Sequence, residues 1–152
     1  MVIRTNTVFM KFTDSGEILL QALEEHPIRG NALVVHADSS LIMQTLQEQG
    51  LAVSDWDWRW SDRLSLVWWP ARDLVDTIVV HIPAIRELNN LVVETAASRL
   101  AVGGELIIYG GNHEGMKSIA DHLAPWFENA EVLLFKQHQR VITARRAETH
   151  EQ

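Results

Sequence analysis

The chain has 152 residues, of which 47% are hydrophobic, and 13 Lys and Arg stand against 20 Asp and Glu, for a formal net charge of −7. This length and apolar content suit one sizeable core and argue against a multidomain enzyme. The negative charge disfavours an autonomous nucleic-acid binder unless the basic residues gather on one face. Without Cys the chain has no disulfide, thiolate metal site or cysteine nucleophile.

The N-terminal sequence lacks the basic and then apolar pattern of a signal peptide. No apolar run reaches the roughly 18 residues that cross a bilayer. We therefore expect a cytoplasmic protein.

The first half of the chain alternates between helical and strand-like patterns. Apolar residues recur at helical spacing after the capping sequence 14–16 and stop at His26-Pro27, which predicts an opening helix. The segments that follow are a β-type run at 32–37, a helical pattern at 41–46 ended by Gly50, an alternating stretch at 51–60 and a β-rich run at 65–69.

The second half continues this alternation and closes with two successive strands. The predicted elements are a strand at 77–82, a long helix from Pro83 to Gly103-Gly104, a strand at 105–109, a tight turn at Gly110-Gly111, a helix at 116–127, and strands at 131–135 and 140–144. The short spacer between the last two strands suits an antiparallel hairpin. The pattern predicts a Rossmann-like α/β fold, with a mostly parallel central sheet and helices on both faces. We expect one domain over residues 1–146 and a flexible tail over 147–152.

Three segments carry a resemblance to a known family. They are Asp76-Thr-Ile-Val-Val-His-Ile-Pro83, the closing hairpin, and Val102-Gly-Gly-Glu-Leu-Ile-Ile-Tyr-Gly-Gly-Asn-His-Glu-Gly-Met-Lys-Ser118. Together with the long helix, they resemble the N-terminal domain of bacterial ribosomal RNA small-subunit guanine-N2 methyltransferases, which belong to the class I S-adenosylmethionine-dependent methyltransferases. In that family the N-terminal domain is a degenerate copy of the methyltransferase fold, and the C-terminal copy carries cofactor and catalysis. The resemblance, over roughly residues 30 to 146, implies a methyltransferase-like module related to rRNA methylation.

The loop after the first central strand bears on cofactor binding. A working domain of this class needs a glycine-rich turn there, because close backbone approach to the cofactor leaves no room for Cβ. The stretch 35–40 contains no glycine, so we expect no bound cofactor. Asp38 is either a ligand acceptor or the cap of the following helix. If S-adenosylmethionine does bind, we expect its site to comprise His36, Asp38, Gly110 and Gly111.

The loop after the next central strand bears on catalysis. Related catalytic domains methylate exocyclic amines with an Asn/Asp-Pro-Pro-aromatic turn, whereas this sequence has His81-Ile-Pro-Ala84. The polar acceptor and the aromatic ring are missing, so we expect no catalytic residue in this chain. His36 and His81 end neighbouring strands and are either a binding pair or structural histidines. The His residues show no short metal-ligand spacing, and we expect no metal site.

The segment after the third central strand offers a candidate anion site. Asn112, Lys117 and Ser118 would supply it, because free N–H groups at a helix N-terminus and a nearby cation favour phosphate. The alternative is a tight strand-to-helix turn that Asn112 caps.

Tryptophans are concentrated in one segment. Five of the six lie between Trp56 and Trp69, and Trp56, Trp58 and Trp60 recur with period two, so on a strand they would share one face. That face is core, a protein interface or, with neighbouring arginines, a stacking site for nucleic acid. We expect a protein partner or a homo-oligomer, with RNA contacted only indirectly.

The sequence is compatible with three functions. The first is a catalytically degenerate methyltransferase-like domain that acts as an interaction or substrate-presenting module. The second is an active RNA methyltransferase with a noncanonical cofactor loop. The third is a nucleotide- or anion-binding protein.

Overall fold

The computed structural model describes residues 14–28, 30–35, 52–56, 74–82, 89–111, 116, 119–124 and 126–148. Its elements in chain order are α1 (Asp14–Glu25), β1 (Asn31–Val35), β2 (Ala52–Trp56), β3 (Val75–His81), α2 (Asn89–Arg99), β4 (Leu100–Gly111), a 3₁₀ helix (Ile119–His122), β5 (Phe127–Lys136) and β6 (Gln139–Arg146). Among the helices described, none combines the length and the apolar composition that crossing a bilayer requires.

The described strands form one six-stranded sheet in the order β2-β1-β3-β4-β6-β5. The first four strands in this order run parallel, and β6 is antiparallel to both β4 and β5. At the centre, Val79 of β3 lies in register with Val34 on one side and Ile107 on the other, and all three are completely buried. The predicted Rossmann-like α/β fold, with a parallel centre and an antiparallel closing hairpin, is confirmed.

Successive residues of the central strands point to opposite faces of the sheet, and each face has its own apolar core. On one face α1 packs over β4, β5 and β6. It contributes the stripe Ile18, Leu19, Ala22 and Leu23. On the other face α2 and the 3₁₀ helix pack together. The apolar residues that they bury in this core are Val92, Val93, Ala96, Ala97 and Ile119. The helices therefore cover both faces, as a mostly parallel sheet requires.

The helix predicted over 116–127 is wrong. In the described part of this segment a 3₁₀ helix spans Ile119–His122, and β5 already begins at Phe127. Pro125 lies inside the predicted helix and has no N–H to continue it. Phe127 instead pairs with Arg146 in the sheet, although its backbone N–H still donates to the carbonyl of Leu123 (3.0 Å).

The long helix also ends earlier than predicted. It ends at Arg99, and β4 begins at Leu100 rather than after Gly103-Gly104. The ladder between β3 and β4 is interrupted there, because the register shifts before Thr77 pairs with Glu105. Gly103 lies inside this irregularity with φ of +85°, a conformation that glycine adopts at little cost. Regular pairing therefore begins at Glu105, where the strand was predicted to begin.

The predicted hairpin between the last two strands is confirmed. Gln137 and His138 alone separate β5 from β6, with φ of 54° and 64°. Positive φ at both central residues is what a type I′ turn requires, and this turn matches the twist of the strands. The turn places Phe135 directly opposite Arg140.

Candidate functional site

The carboxyl ends of four parallel strands meet at one edge of the sheet. Val35, Trp56, His81 and Gly111 are the last residues of β1, β2, β3 and β4. In open α/β sheets ligands bind outside this edge, where connecting loops diverge. The carboxyl edge is therefore the candidate functional site.

Two stacked rings lie between β3 and β4 at this edge. His81 and Tyr109 are register partners, and their ring centroids are 5.0 Å apart with an interplanar angle of 29°. The Tyr109 side chain is completely buried, whereas His81 is partly exposed. The N–H of Ile82 donates to the carbonyl of Tyr109 (2.9 Å), which fastens the chain just after β3. The rings therefore pack against each other within the fold, on the face that α1 covers.

Gly110 and Gly111 do not form the predicted tight turn. They are the last two residues of β4 and pair with Arg140 and Gln139 of β6. The turn prediction is wrong because the β6 ladder continues past Tyr109 and keeps the backbone extended. Both glycines lie at the carboxyl edge, as the predicted cofactor site requires. Their role in cofactor binding stays a prediction.

The structure brings three of the candidate residues to one edge: His81, Gly110 and Gly111. Trp56 ends β2 at the same edge. The remaining candidates lie outside the described residues and are His36, Asp38, Asn112, Lys117, Ser118, Trp58 and Trp60. The His36–His81 pair, the anion site and the shared tryptophan face therefore stay predictions.

Sequence reasoning missed a basic and aromatic pair next to this edge. Arg140 lies between Gly110 of β4 and Phe135 of β5. Its guanidinium carbon is 4.6 Å from the centroid of the Phe135 ring, and Phe135 is 52% exposed. The signal for this pair was the short hairpin, because a two-residue turn sets residues 135 and 140 opposite each other.

A cleft of 710 Å³ lies at the end of the sheet opposite to the carboxyl edge, where the parallel strands begin. Its walls include the carboxylates of Glu25, Asp76 and Glu105 together with His26 and Arg145. Glu105 is buried and accepts hydrogen bonds from His26 and from Thr143 of β6. Three carboxylates against one arginine disfavour a phosphate-bearing ligand. This cleft therefore does not replace the carboxyl edge as the candidate site for a nucleotide-like ligand.

Comparisons with known proteins place this geometry in a family. A family model described as methyltransferase small domain N-terminal matches residues 25–133. The ribosomal RNA small subunit methyltransferase C of Shewanella sediminis is 25% identical over 114 residues, which make up 75% of this chain and 30% of that relative. The chain thus spans less than a third of the length of this curated relative.

Two solved structures have a similar fold. The T. thermophilus 16S rRNA guanine-N2 methyltransferase in complex with AdoMet and guanosine has a TM-score of 0.72 at 16% identity, over 95% of this chain and 42% of that chain. The N-methyltransferase NodS from Bradyrhizobium japonicum, in complex with S-adenosyl-L-homocysteine, has a TM-score of 0.62 at 13% identity, over 88% of this chain and 86% of that chain. The family match and these folds confirm the predicted resemblance, and the chain belongs to the family of methyltransferase small domain N-terminal domains.

Proposed function

We propose that this chain is a noncatalytic methyltransferase-like domain of the rRNA methylation machinery, which presents substrate to a separate catalytic methyltransferase. The family match supports the link to methylation, and the relative that modifies ribosomal RNA supports the class of substrate. The role as a partner of an active domain rests on the chemistry of the carboxyl edge.

The observation that carries the proposal is the end of β3. Related catalytic domains hold the target amine with an Asn/Asp-Pro-Pro-aromatic turn at this point. Here β3 ends in His81, whose ring stacks on the buried Tyr109, and the chain continues as Ile82-Pro83-Ala84. No carboxamide or carboxylate side chain is present in residues 81–84 to accept a hydrogen bond from an exocyclic amine.

The end of β1 supports the same conclusion for the cofactor. Because β1 pairs with β3 at the centre of the sheet, the stretch 35–40 follows the strand whose loop would cradle S-adenosylmethionine. Every residue of this stretch carries a Cβ, which obstructs close approach of the backbone to a ligand. These residue types do not fit S-adenosylmethionine, which agrees with a noncatalytic domain.

Calorimetric titration with S-adenosylmethionine tests this proposal. We expect a dissociation constant no tighter than about millimolar, or roughly −4 kcal/mol. A micromolar constant would overturn the noncatalytic assignment. In that case the site to test by substitution is the predicted set His36, Asp38, Gly110 and Gly111.

Affinity purification of the full chain tests the partner role. We expect copurification of a methyltransferase whose own sequence contains both the glycine-rich turn and the Asn/Asp-Pro-Pro-aromatic turn. Recovery of methyl transfer to ribosomal RNA only when both proteins are mixed would support substrate presentation. Equal activity of that methyltransferase with and without this chain would count against it.

S-adenosylmethionine binding is the second candidate function. It is favoured by the two similar folds, one solved with AdoMet and one with S-adenosyl-L-homocysteine. The buried glycines at the end of β4 lie at the edge where such a ligand would enter. The calorimetric titration separates this candidate from the first.

A further inference from the structure

We infer that the tip of the β5–β6 hairpin, residues 135–140, is a contact surface for single-stranded RNA, centred on Arg140 and Phe135. We call these six residues the hairpin tip. The inference deepens the proposed function and rests on it, because it names the surface through which RNA would be presented. It replaces the expectation that RNA is contacted only indirectly with a direct contact.

The geometry of the Arg140–Phe135 pair provides the first reason. The two residues are register partners on adjacent strands, and the guanidinium lies 4.6 Å from the ring centroid. Half of Phe135 is exposed, so one large aromatic surface remains in contact with solvent. Unpaired bases stack on aromatic side chains and on guanidinium planes, whereas bases inside a duplex have no free face to offer.

The unused bonding capacity of Arg140 provides the second reason. Across the described part of the chain Arg140 has no carboxylate partner, and its buried Nε has no hydrogen-bond partner. Two other arginines of β6 differ. Arg145 donates to the carbonyl of Gly103 (3.2 Å), and Arg146 donates to the carbonyl of Ala97 (2.8 Å). Because Arg140 is partly exposed while its Nε is buried, its terminal nitrogens are the donors offered to a phosphate or a base edge, whereas Arg145 and Arg146 use theirs within the fold.

The local charge provides the third reason. The chain carries a net charge of −7, but the hairpin tip contains Lys136, His138 and Arg140 and no carboxylate. Among the described residues, Lys136 donates a long hydrogen bond to Oε1 of Gln21 in α1 (3.5 Å), so its side chain lies on the face that α1 covers. The acidic cleft lies at the other edge of the sheet. Lys136 and Arg140 thus lie on opposite faces of the hairpin, and with no carboxylate in the tip, positive charge gathers at this end of an acidic protein and favours RNA there.

The position of the tip agrees with substrate presentation. Arg140 pairs with Gly110, which contributes no side chain beside the guanidinium. Alternation along β6 places Arg140 on the same face as Ile142, away from α1. RNA bound at the tip would therefore lie beside the carboxyl edge, which is the candidate functional site.

Fluorescence anisotropy with a labelled 12-nucleotide single-stranded RNA, at low salt, tests the inference on the full chain. We expect Arg140→Gln and Phe135→Ala each to weaken binding by about tenfold, in line with the loss of one stacked base. Arg140→Lys keeps the charge and loses the planar group, so it should weaken binding nearly as much. Arg145→Gln removes the same charge at the opposite edge and is the matched control, with an expected change below about twofold.

Three results would overturn the inference. They are no binding by the wild-type chain, equal weakening by Arg140→Gln and Arg145→Gln, and a double-stranded RNA of the same length that binds as well as the single strand. Loss of a copurifying methyltransferase in Arg140→Gln, with RNA binding intact, would assign the tip to a protein instead. A chain that binds S-adenosylmethionine tightly but still needs Arg140 for RNA would refute the proposed function and leave this inference standing.

Discussion

Nε2 of His26 is hydrogen-bonded to Oε2 of Glu105, a contact that joins the end of α1 to the first regularly paired residue of β4. The hydroxyl of Thr143 in β6 donates to the same oxygen. Glu105 is buried, and a buried carboxylate is costly unless donors compensate for its lost hydration. These two donors therefore let an acidic residue be buried where regular pairing of β4 begins, beside the cleft.

Removing the Thr143 hydroxyl should destabilise the fold. Thr143→Val keeps the shape of the side chain but leaves the Glu105 carboxylate with one donor fewer, so we expect a loss of about 1–3 kcal/mol in the free energy of unfolding. Urea denaturation measures it. Thr143→Ser keeps the hydroxyl and loses one methyl group, at a cost of about 0.8 kcal/mol. If the valine variant is as stable as the wild-type chain, the hydrogen bond contributes nothing.

Gly30 should tolerate no side chain. Its φ is +73°, and a Cβ there would overlap the carboxylate of Asp76, which accepts a hydrogen bond from the N–H of Asn31 (3.0 Å). Gly30→Ala should therefore lower the free energy of unfolding by about 1–2 kcal/mol, because a residue with a Cβ is strained at this left-handed φ. Displacement of the Asp76 carboxylate from its hydrogen bond should lower it further. Chemical denaturation measures both effects together.

Gly103 provides the matched control for this loss. Its φ is +85°, but a Cβ there would meet no atom within 4 Å. Gly103→Ala should therefore show the backbone cost alone and be the milder of the two variants. In an Asp76→Gly background, which also removes the Asp76 Cβ that would lie 2.8 Å from the added Cβ, the two glycine substitutions should cost nearly the same. A Gly30 penalty that stays larger without Asp76 would show that the carboxylate is not its cause.

The central strands could be predicted because both of their faces are buried. A continuous apolar run such as Ile78-Val79-Val80 predicts a central strand without knowledge of the neighbouring strands, because all of its side chains are buried. The segment 116–127 was misread for the opposite reason. Met116, Ile119, Leu123 and Phe127 are all buried in one core at helical spacing, but that spacing does not require a continuous helix.

The polar contacts were harder to predict from the sequence. Glu105 is conspicuous next to an apolar run, but its hydrogen-bond donors His26 and Thr143 lie 79 and 38 positions away in the sequence. Only the folded sheet brings these residues together. Arg140 and Phe135 differ, because the hairpin turn alone sets their pairing. Local contacts across a predictable turn are therefore within reach of sequence analysis, whereas contacts between distant elements are not.

The hairpin turn should be open to stabilisation. Gln137 has φ of 54°, a region where Asn is favoured over other residues with a Cβ. We expect Gln137→Asn to raise the free energy of unfolding by about 0.5 kcal/mol, with thermal and urea denaturation as the measurements. Gln137→Val places a β-branched side chain at the same φ and should act in the opposite direction. Equal stability of the two variants would contradict the type I′ turn.

The tryptophan set Trp56, Trp58 and Trp60 should be needed for assembly. β2, which ends at Trp56, is the outermost strand of the described sheet beside β1. Three indoles on one strand face would present several hundred Å² of apolar surface, more than a monomer usually leaves uncovered. We expect partial cover by the chain itself and partial cover by a second subunit. Trp58→Ala should then lower both the melting temperature and the sedimentation coefficient.

Trp126 is the control for this prediction, since it lies outside the set and packs against the core on the α2 face. Trp126→Ala should cost stability and leave the assembly unchanged in sedimentation velocity. If the chain itself covers Trp58 completely, Trp58→Ala should cost about 3–5 kcal/mol with no change in assembly. A wild-type chain that sediments as a monomer at high concentration, with all three indoles open to a soluble quencher, would remove the basis for an interface on this segment.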